Sequence, residues 1–190
     1  MPDLMKEIHI EMKNKSNSEV NRLTREAITT ALVKLLRYQT FDRISISAIV
    51  KLAGVSRTAY YNNYQSKTDI LTDLINNFIN DINNSLQPYA GKTSGKLNQP
   101  REFIDTLFNS VYQHKNVYET LIKANLSQQL LKQLNSLMIK YKPAKTINEK
   151  YQVYFQTGAL FNVFTLWIEN GTKESCGELS QMFTQRYDSL

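Results

Sequence analysis

Turn-forming residues are scarce in this chain. Its 190 residues contain six Gly and four Pro, and two of each fall in one stretch, Gln87–Pro100 (QPYAGKTSGKLNQP). A many-stranded sheet needs frequent tight turns, which draw on Gly and Pro at special backbone angles. Long segments without either residue favour helices, so the expected fold class is all-α.

The apolar pattern agrees. Val20, Leu23, Ala27, Ile28, Ala31, Leu32, Leu35 and Leu36 trace one stripe at helical spacing behind Ser18, an N-cap residue, and predict a first helix to about Tyr38. Ser45 precedes a brief second helix with Ile46, Ile49, Val50 and Ala53 on one side, and Gly54 supplies a left-handed stop. Ser56 can cap a third short helix to about Tyr64. Ser66, with Asp69 three residues on, has capping-box form before a long helix ending near Leu86. The stretch 87–100 reads as a loop between two parts of the chain. Beyond it, helices are expected at about 101–113, 116–123, 127–141, 148–170 and 175–187, with Gly171 stopping the fourth of them. Residues 1–17 carry mixed charge without lasting periodicity and are expected to form a loose arm.

Composition removes several function classes. Hydrophobic residues at 42% and charged residues at 21% match soluble globular chains, not disordered ones. Cys176 stands alone, and with only His9 and His114 no Cys/His cluster has metal-ligand spacing, so a reduced, metal-free, cytoplasmic protein without cofactor is expected. No run approaches the ~18 apolar residues of a membrane helix, and the opening stretch, with Asp3, Lys6, Glu7 and Glu11, lacks a signal-peptide core. Neither a GxGxxG nor a GxxxxGK[ST] phosphate loop nor a GxSxG elbow is present, so catalysis has no candidate centre. The net charge of +6 points to an anionic partner.

Residues 45–64 have the parts of a helix-turn-helix: a short helix, a tight turn with Gly, and a second helix whose outer face can reach the DNA major groove. Helical spacing turns Val55, Ala59 and Tyr60 inward and Arg57, Thr58, Tyr61 and Asn62 outward. A guanidinium, a hydroxyl, a phenol and an amide are the groups that bond phosphate oxygens and base edges. Residues 43–68 hold Arg43, Lys51, Arg57 and Lys67 and no acid. Residues 120–148 are also acid-free, however, with Lys123, Lys132, Lys140, Lys142 and Lys145, so such a window counts only together with the helix pattern. Tyr60 and Tyr64 face the first helix as core, and Asn63 reads as a structural amide. His114 is placed as a capping or solvent-facing residue, and Cys176 needs no role beyond packing or capping.

From about Asn21 to Leu71 the chain resembles the TetR/AcrR family of bacterial transcriptional regulators. The specific part is AGVSRTAYYNNYQSK, with its Ala-Gly-Val-Ser start, aromatic-Tyr pair, later aromatic, and Ser-Lys opening the fourth helix. Val50 stands where a small Ala is common, and Asn63 and Tyr64 replace a frequent His and Phe. The resemblance implies that Ser45 and Ser47 touch phosphates, that Arg57, Thr58 and Asn62 face bases, and that Tyr61 and Lys67 grip phosphates of a double-stranded operator. It divides the chain into the arm 1–17, a helix-turn-helix domain 18–66 and a helical regulatory and dimerisation domain 67–190.

The C-terminal stretch YFQTGALFNVFTLWIENG resembles the penultimate helix of a subgroup of these regulators, where the last two helices pair with a second subunit. Residues 158–169 leave only Asn162, Thr165 and Glu169 as a polar strip, so this helix must be buried on several sides. A homodimer is expected, with Leu160, Phe161, Phe164, Trp167 and Ile168 at its interface and Gly158 permitting close backbone approach. Most aromatic residues follow Asp69. Core packing is their default use; the resemblance adds a pocket for a small apolar or amphipathic effector, with Phe103, Phe108, Tyr112, Tyr118 and Tyr154 as candidate walls. The reading as a whole is a ligand-responsive repressor acting as a homodimer. An alternative use of the same fold is a helical interaction protein controlled by a protein partner, with DNA binding lost or secondary.

Overall fold

In a computed structural model, residues 17–90 and 100–187 are described. Most of the expected arm and the middle of the expected loop lie outside them. Among the described residues there are helices and turns and no strand, as the scarcity of turn-formers predicts. The α-helices are α1 (Asn17–Leu36), α2 (Ile46–Ala53), α3 (Arg57–Tyr61), α4 (Lys67–Leu86), α5 (Pro100–Gln113), α6 (Lys115–Lys123), α7 (Ser127–Tyr141), α8 (Ile147–Glu169) and α9 (Cys176–Tyr187). Single 3-10 turns sit at Phe41–Arg43 and Gln87–Tyr89. None of the described helices is long and apolar enough to cross a membrane.

The chain forms two compact units that divide between Asp73 and Leu74, so α4 gives residues 67–73 to the first and 74–86 to the second. In the first unit, α1 packs on α2 and α3. Ile28, Ala31, Leu32 and Leu36 of α1 are buried, with Ile49 and Val50 of α2 and Tyr60 of α3. The local signals work as read. Ser45 accepts from the Ala48 amide at 3.1 Å and Ser56 from the Ala59 amide at 3.0 Å, satisfying amide groups that a helix start leaves unpaired. Gly54 has φ 67° and ψ 27°, and the Val55 amide returns to the Val50 carbonyl at 3.1 Å, closing α2 in the left-handed manner that glycine permits.

The second unit is built on aromatic packing. Phe108 of α5 lies 4.8 Å, ring centre to ring centre, from Phe164 of α8, 6.0 Å from Trp167 and 6.5 Å from Phe183 of α9. Helix α9 runs against α5, while α8 packs on α6 and α7. Polar anchors hold the ends. Tyr141 donates to the Asn83 carbonyl at 2.9 Å, and the Trp167 indole donates to the Glu174 carbonyl at 3.0 Å, fastening the α8–α9 turn. Three helices start with a reciprocal cap of the S/T-x-x-D/E form: Ser66 with Asp69, Thr146 with Glu149, and Ser175 with Glu178.

Candidate nucleic-acid interface

Helices α2 and α3 carry the polar face that the sequence predicts. Ser45, Ser47, Arg57, Thr58, Tyr61 and Asn62 are all exposed, and Tyr61 shows 55% of its surface. Beneath them Tyr60 is fully buried, and its ring meets that of Tyr61 edge to face at 5.2 Å. The Arg57 guanidinium crosses the turn and donates to the Ser47 hydroxyl oxygen at 2.6 Å, so the two helices present their polar groups as one surface. A guanidinium has five N–H donors, which leaves Arg57 able to fork onto a base edge or a phosphate. Arg43 and Lys51 are exposed in the same acid-free stretch. Both face water, where positive charge attracts a polyanion at long range.

Helix α3 is shorter than its pattern suggests. It ends at Tyr61 with Asn62 as its C-cap, not near Tyr64. Asn63 turns back, its amide donating to the Ala59 carbonyl at 2.9 Å, the structural role read from its position. Tyr64 is buried, also as read.

Lys67 differs most from its expected role. Its ammonium points inward, donating to the Ile44 carbonyl at 2.6 Å and the Phe41 carbonyl at 3.0 Å, and lies 4.7 Å from the Phe41 ring centre. At least two of its three protons are therefore committed to the turn before α2. This geometry makes Lys67 a brace for the turn before α2, a role that the resemblance, which implies a phosphate grip there, does not include.

Residues 98–188 match the TetR-type family model described as a transcriptional regulator C-terminal region. The C-terminal part of the chain is thus similar to the C-terminal region of TetR-type transcriptional regulators. Solved structures give the same fold for both parts. A TetR transcriptional regulator from Streptococcus agalactiae 2603V superposes with a TM-score of 0.63 at 16% identity, covering 89% of this chain and 96% of that one. The dihydroxyacetone kinase operon activator DhaS gives 0.62 at 18% identity, covering 85% and 92%. The fatty acid degradation regulator FadR from Bacillus halodurans gives 0.58 at 18% identity, covering 85% and 93%. No curated protein matches the sequence.

In this fold the expected effector walls do not converge on one cavity. Phe103 lines a cavity of about 20 Å³ with Ile104, Met138, Tyr141, Val153 and Leu160, room for about one water. Tyr118 lines a separate hollow of about 290 Å³ with Ile122, Thr165 and Ile168. Its buried hydroxyl bonds to Thr165 at 2.9 Å and to the Phe161 carbonyl at 3.2 Å, and burial pushes its pKa far above the ordinary phenol value. Tyr112 is exposed and stacks on Trp167, Tyr154 is exposed on α8, and Phe108 is enclosed by other rings. His114 is partly buried, its Nδ1 2.9 Å from the Ser110 carbonyl oxygen and its Nε2 3.3 Å from Asp81.

The residues expected at the interface on α8 are largely enclosed within the single chain. Leu160, Phe161, Phe164, Trp167 and Ile168 are at most 9% exposed within a single chain, where α6 and α7 pack on α8 and Phe108 of α5 meets Phe164 and Trp167. The apolar residues that α8 leaves in water are Ile147, Tyr151, Tyr154, Phe155 and Leu166, with Met182 exposed on α9. Ile147, Tyr151, Phe155, Gly158, Asn162 and Leu166 follow one another at steps of three or four and share one side of the helix over about 28 Å. That spacing is legible in the sequence, although the side it selects is not. Nothing lies within 4 Å of the Cβ that Gly158 lacks, so no packing inside the chain requires a glycine there.

Proposed function

We propose that this chain is a sequence-specific DNA-binding regulator that works as a homodimer, with α3 in the major groove and an apolar or amphipathic effector releasing the DNA, so that it acts as a repressor by occupancy. The observation that carries DNA binding is the exposed polar face, on a stretch of chain without acids, in which Arg57 bridges to Ser47 across the turn, with Thr58, Tyr61 and Asn62 exposed on the same helix and its cap. Ser45 uses its oxygen as a cap and keeps its proton for a phosphate.

Dimerisation has its own support. A row of large apolar side chains in water is a cost that a second copy can remove, and a mid-helix glycine costs about 1 kcal/mol relative to alanine. A neighbouring backbone crossing α8 at Gly158 accounts for both. A dimeric helix-turn-helix protein reads two half-sites on successive major grooves, about 34–36 Å apart. The effector reading is supported by the cavity at Phe103 and Met138, a place where the flexible Met side chain can yield to a small apolar group. A ligand bound there lowers operator affinity only by as much as it prefers the DNA-incompetent state.

A gel shift of DNA flanking the chain's own gene tests the proposal. Retardation that resists excess non-specific competitor is the expected result. An intact dimer that retards no fragment from that region would remove the DNA reading and favour the partner-controlled alternative.

A further inference from the structure

Three segments of the first unit meet on one carboxylate. Tyr64, just beyond α3, donates its hydroxyl to Asp73 Oδ2 on α4 at 2.5 Å. The other oxygen, Oδ1, lies 2.8 Å from Arg25 Nη2 on α1. The same guanidinium donates through Nη1 to the Asn63 carbonyl at 3.2 Å and lies 4.6 Å from the centre of the Tyr64 ring. Both residues that follow α3 and its cap are thereby tied to α1 and α4. Burial first, and the bond to Asp73 second, push the Tyr64 hydroxyl up to about 12, so it remains a donor at neutral pH.

This arrangement matters because α3 has little else to fix its direction. It is five residues long and buries only Tyr60. Its front is held by the Ser56 cap and its back by Asn63 and Tyr64. A phenylalanine in place of Tyr64 would fill the core and leave the carboxylate without that donor. We infer that Asp73 is a positioning residue for DNA reading: through Tyr64 and Arg25 it sets the angle at which α3 presents Arg57 and Asn62, without touching DNA itself. The inference rests on the proposed DNA-reading role of α3.

Tyr64→Phe removes a single oxygen, and Asp73→Asn keeps the side-chain size while releasing Arg25. Two readouts on the full-length protein separate positioning from general destabilisation. The first is hydrogen exchange of amides 57–64 in the free protein, with α8 as internal reference. The second is affinity for the operator and for a scrambled duplex of the same length. Both variants should lose protection at 57–64 while α8 keeps its own. They should bind the operator about tenfold more weakly, with little change on the scrambled duplex. Their double variant should do little worse than Asp73→Asn alone, because that change already weakens the carboxylate to which Tyr64 donates as well as releasing Arg25. If Asp73→Asn does not fold, Tyr64→Phe carries the test. Unchanged exchange at 57–64, or an equal loss on both duplexes, overturns the positioning role. A wild-type protein that does not distinguish the duplexes overturns the DNA-reading assignment instead, and this role with it.

Discussion

The Lys67 ammonium sits 2.6 Å from the Ile44 carbonyl oxygen, joining the first residue of α4 to the residue just before the N-cap of α2. The bond crosses 23 residues of chain and fixes the entry to the helix-turn-helix. Lys67→Ala should therefore lower stability by about 1–3 kcal/mol, the range for a lost hydrogen bond from a charged group plus its abandoned acceptor. Chemical denaturation reads this directly. An unchanged midpoint, combined with a salt slope of DNA binding reduced by about one unit, would return Lys67 to a phosphate contact.

Acid should loosen the helix starts in a defined order of cause. The carboxyl of Asp69 is held below its ordinary range chiefly by the Ser66 amide, that of Glu149 by the Lys145 and Thr146 amides, and that of Glu178 by the Ser175 hydroxyl and amide. A carboxyl with a depressed folded pKa binds its proton more tightly when unfolded. Its stabilisation is complete above the unfolded value, about 4, and disappears as pH falls through the lower folded value. Glu149→Gln should lower the melting temperature at neutral pH and flatten the fall below about pH 5, the two curves converging in acid. Melting curves that stay parallel would remove Glu149 from this account.

The two sides of α8 should respond in opposite ways to substitution. Tyr151→Glu or Phe155→Glu places charge on the exposed row and should give a folded monomer in sedimentation, with operator affinity lost. Leu160→Ala opens the subunit's own core and should cost about 2–5 kcal/mol of stability. A dimer that survives both charged variants would exclude this face as the interface.

Phe108 tests whether the aromatic core of the second unit is packing or pocket. It is fully buried among Phe164, Trp167 and Phe183, so Phe108→Ala should cost about 3–5 kcal/mol. A variant that loses effector response at unchanged melting temperature would instead make Phe108 part of an effector wall.

What could be read in the sequence was what is decided locally. Ser45, Gly54 and Ser56 act within a few residues of themselves, so α2, the turn and the start of α3 followed from residue type alone. The bounds of α4 to α9 lay within a residue of their apolar periods for the same reason. Long-range geometry was hidden. Nothing near Lys67 in the chain announces that it turns toward carbonyls 23 and 26 residues earlier, nor that the Asn63 carbonyl beyond α3 accepts from Arg25, 38 residues before it. On α8 the residues from 158 onward are apolar nearly all round, so periodicity could establish burial on several sides without assigning a side to the chain's own core. The free side becomes legible only through Phe155, Tyr151 and Ile147, about one, two and three turns before residue 158.

The central claim is that α3 reads bases with Arg57 and Asn62 while its neighbours hold phosphates. Fluorescence anisotropy on the operator and on a scrambled duplex, at fixed salt, measures it most directly. Wild type should prefer the operator by about a thousandfold or more. Arg57→Ala and Asn62→Ala should each cost about 1–3 kcal/mol on the operator and almost nothing on the scrambled duplex, at unchanged stability. Equal weakening on both duplexes would make these residues phosphate contacts, and a wild-type protein that binds the two alike would contradict the account.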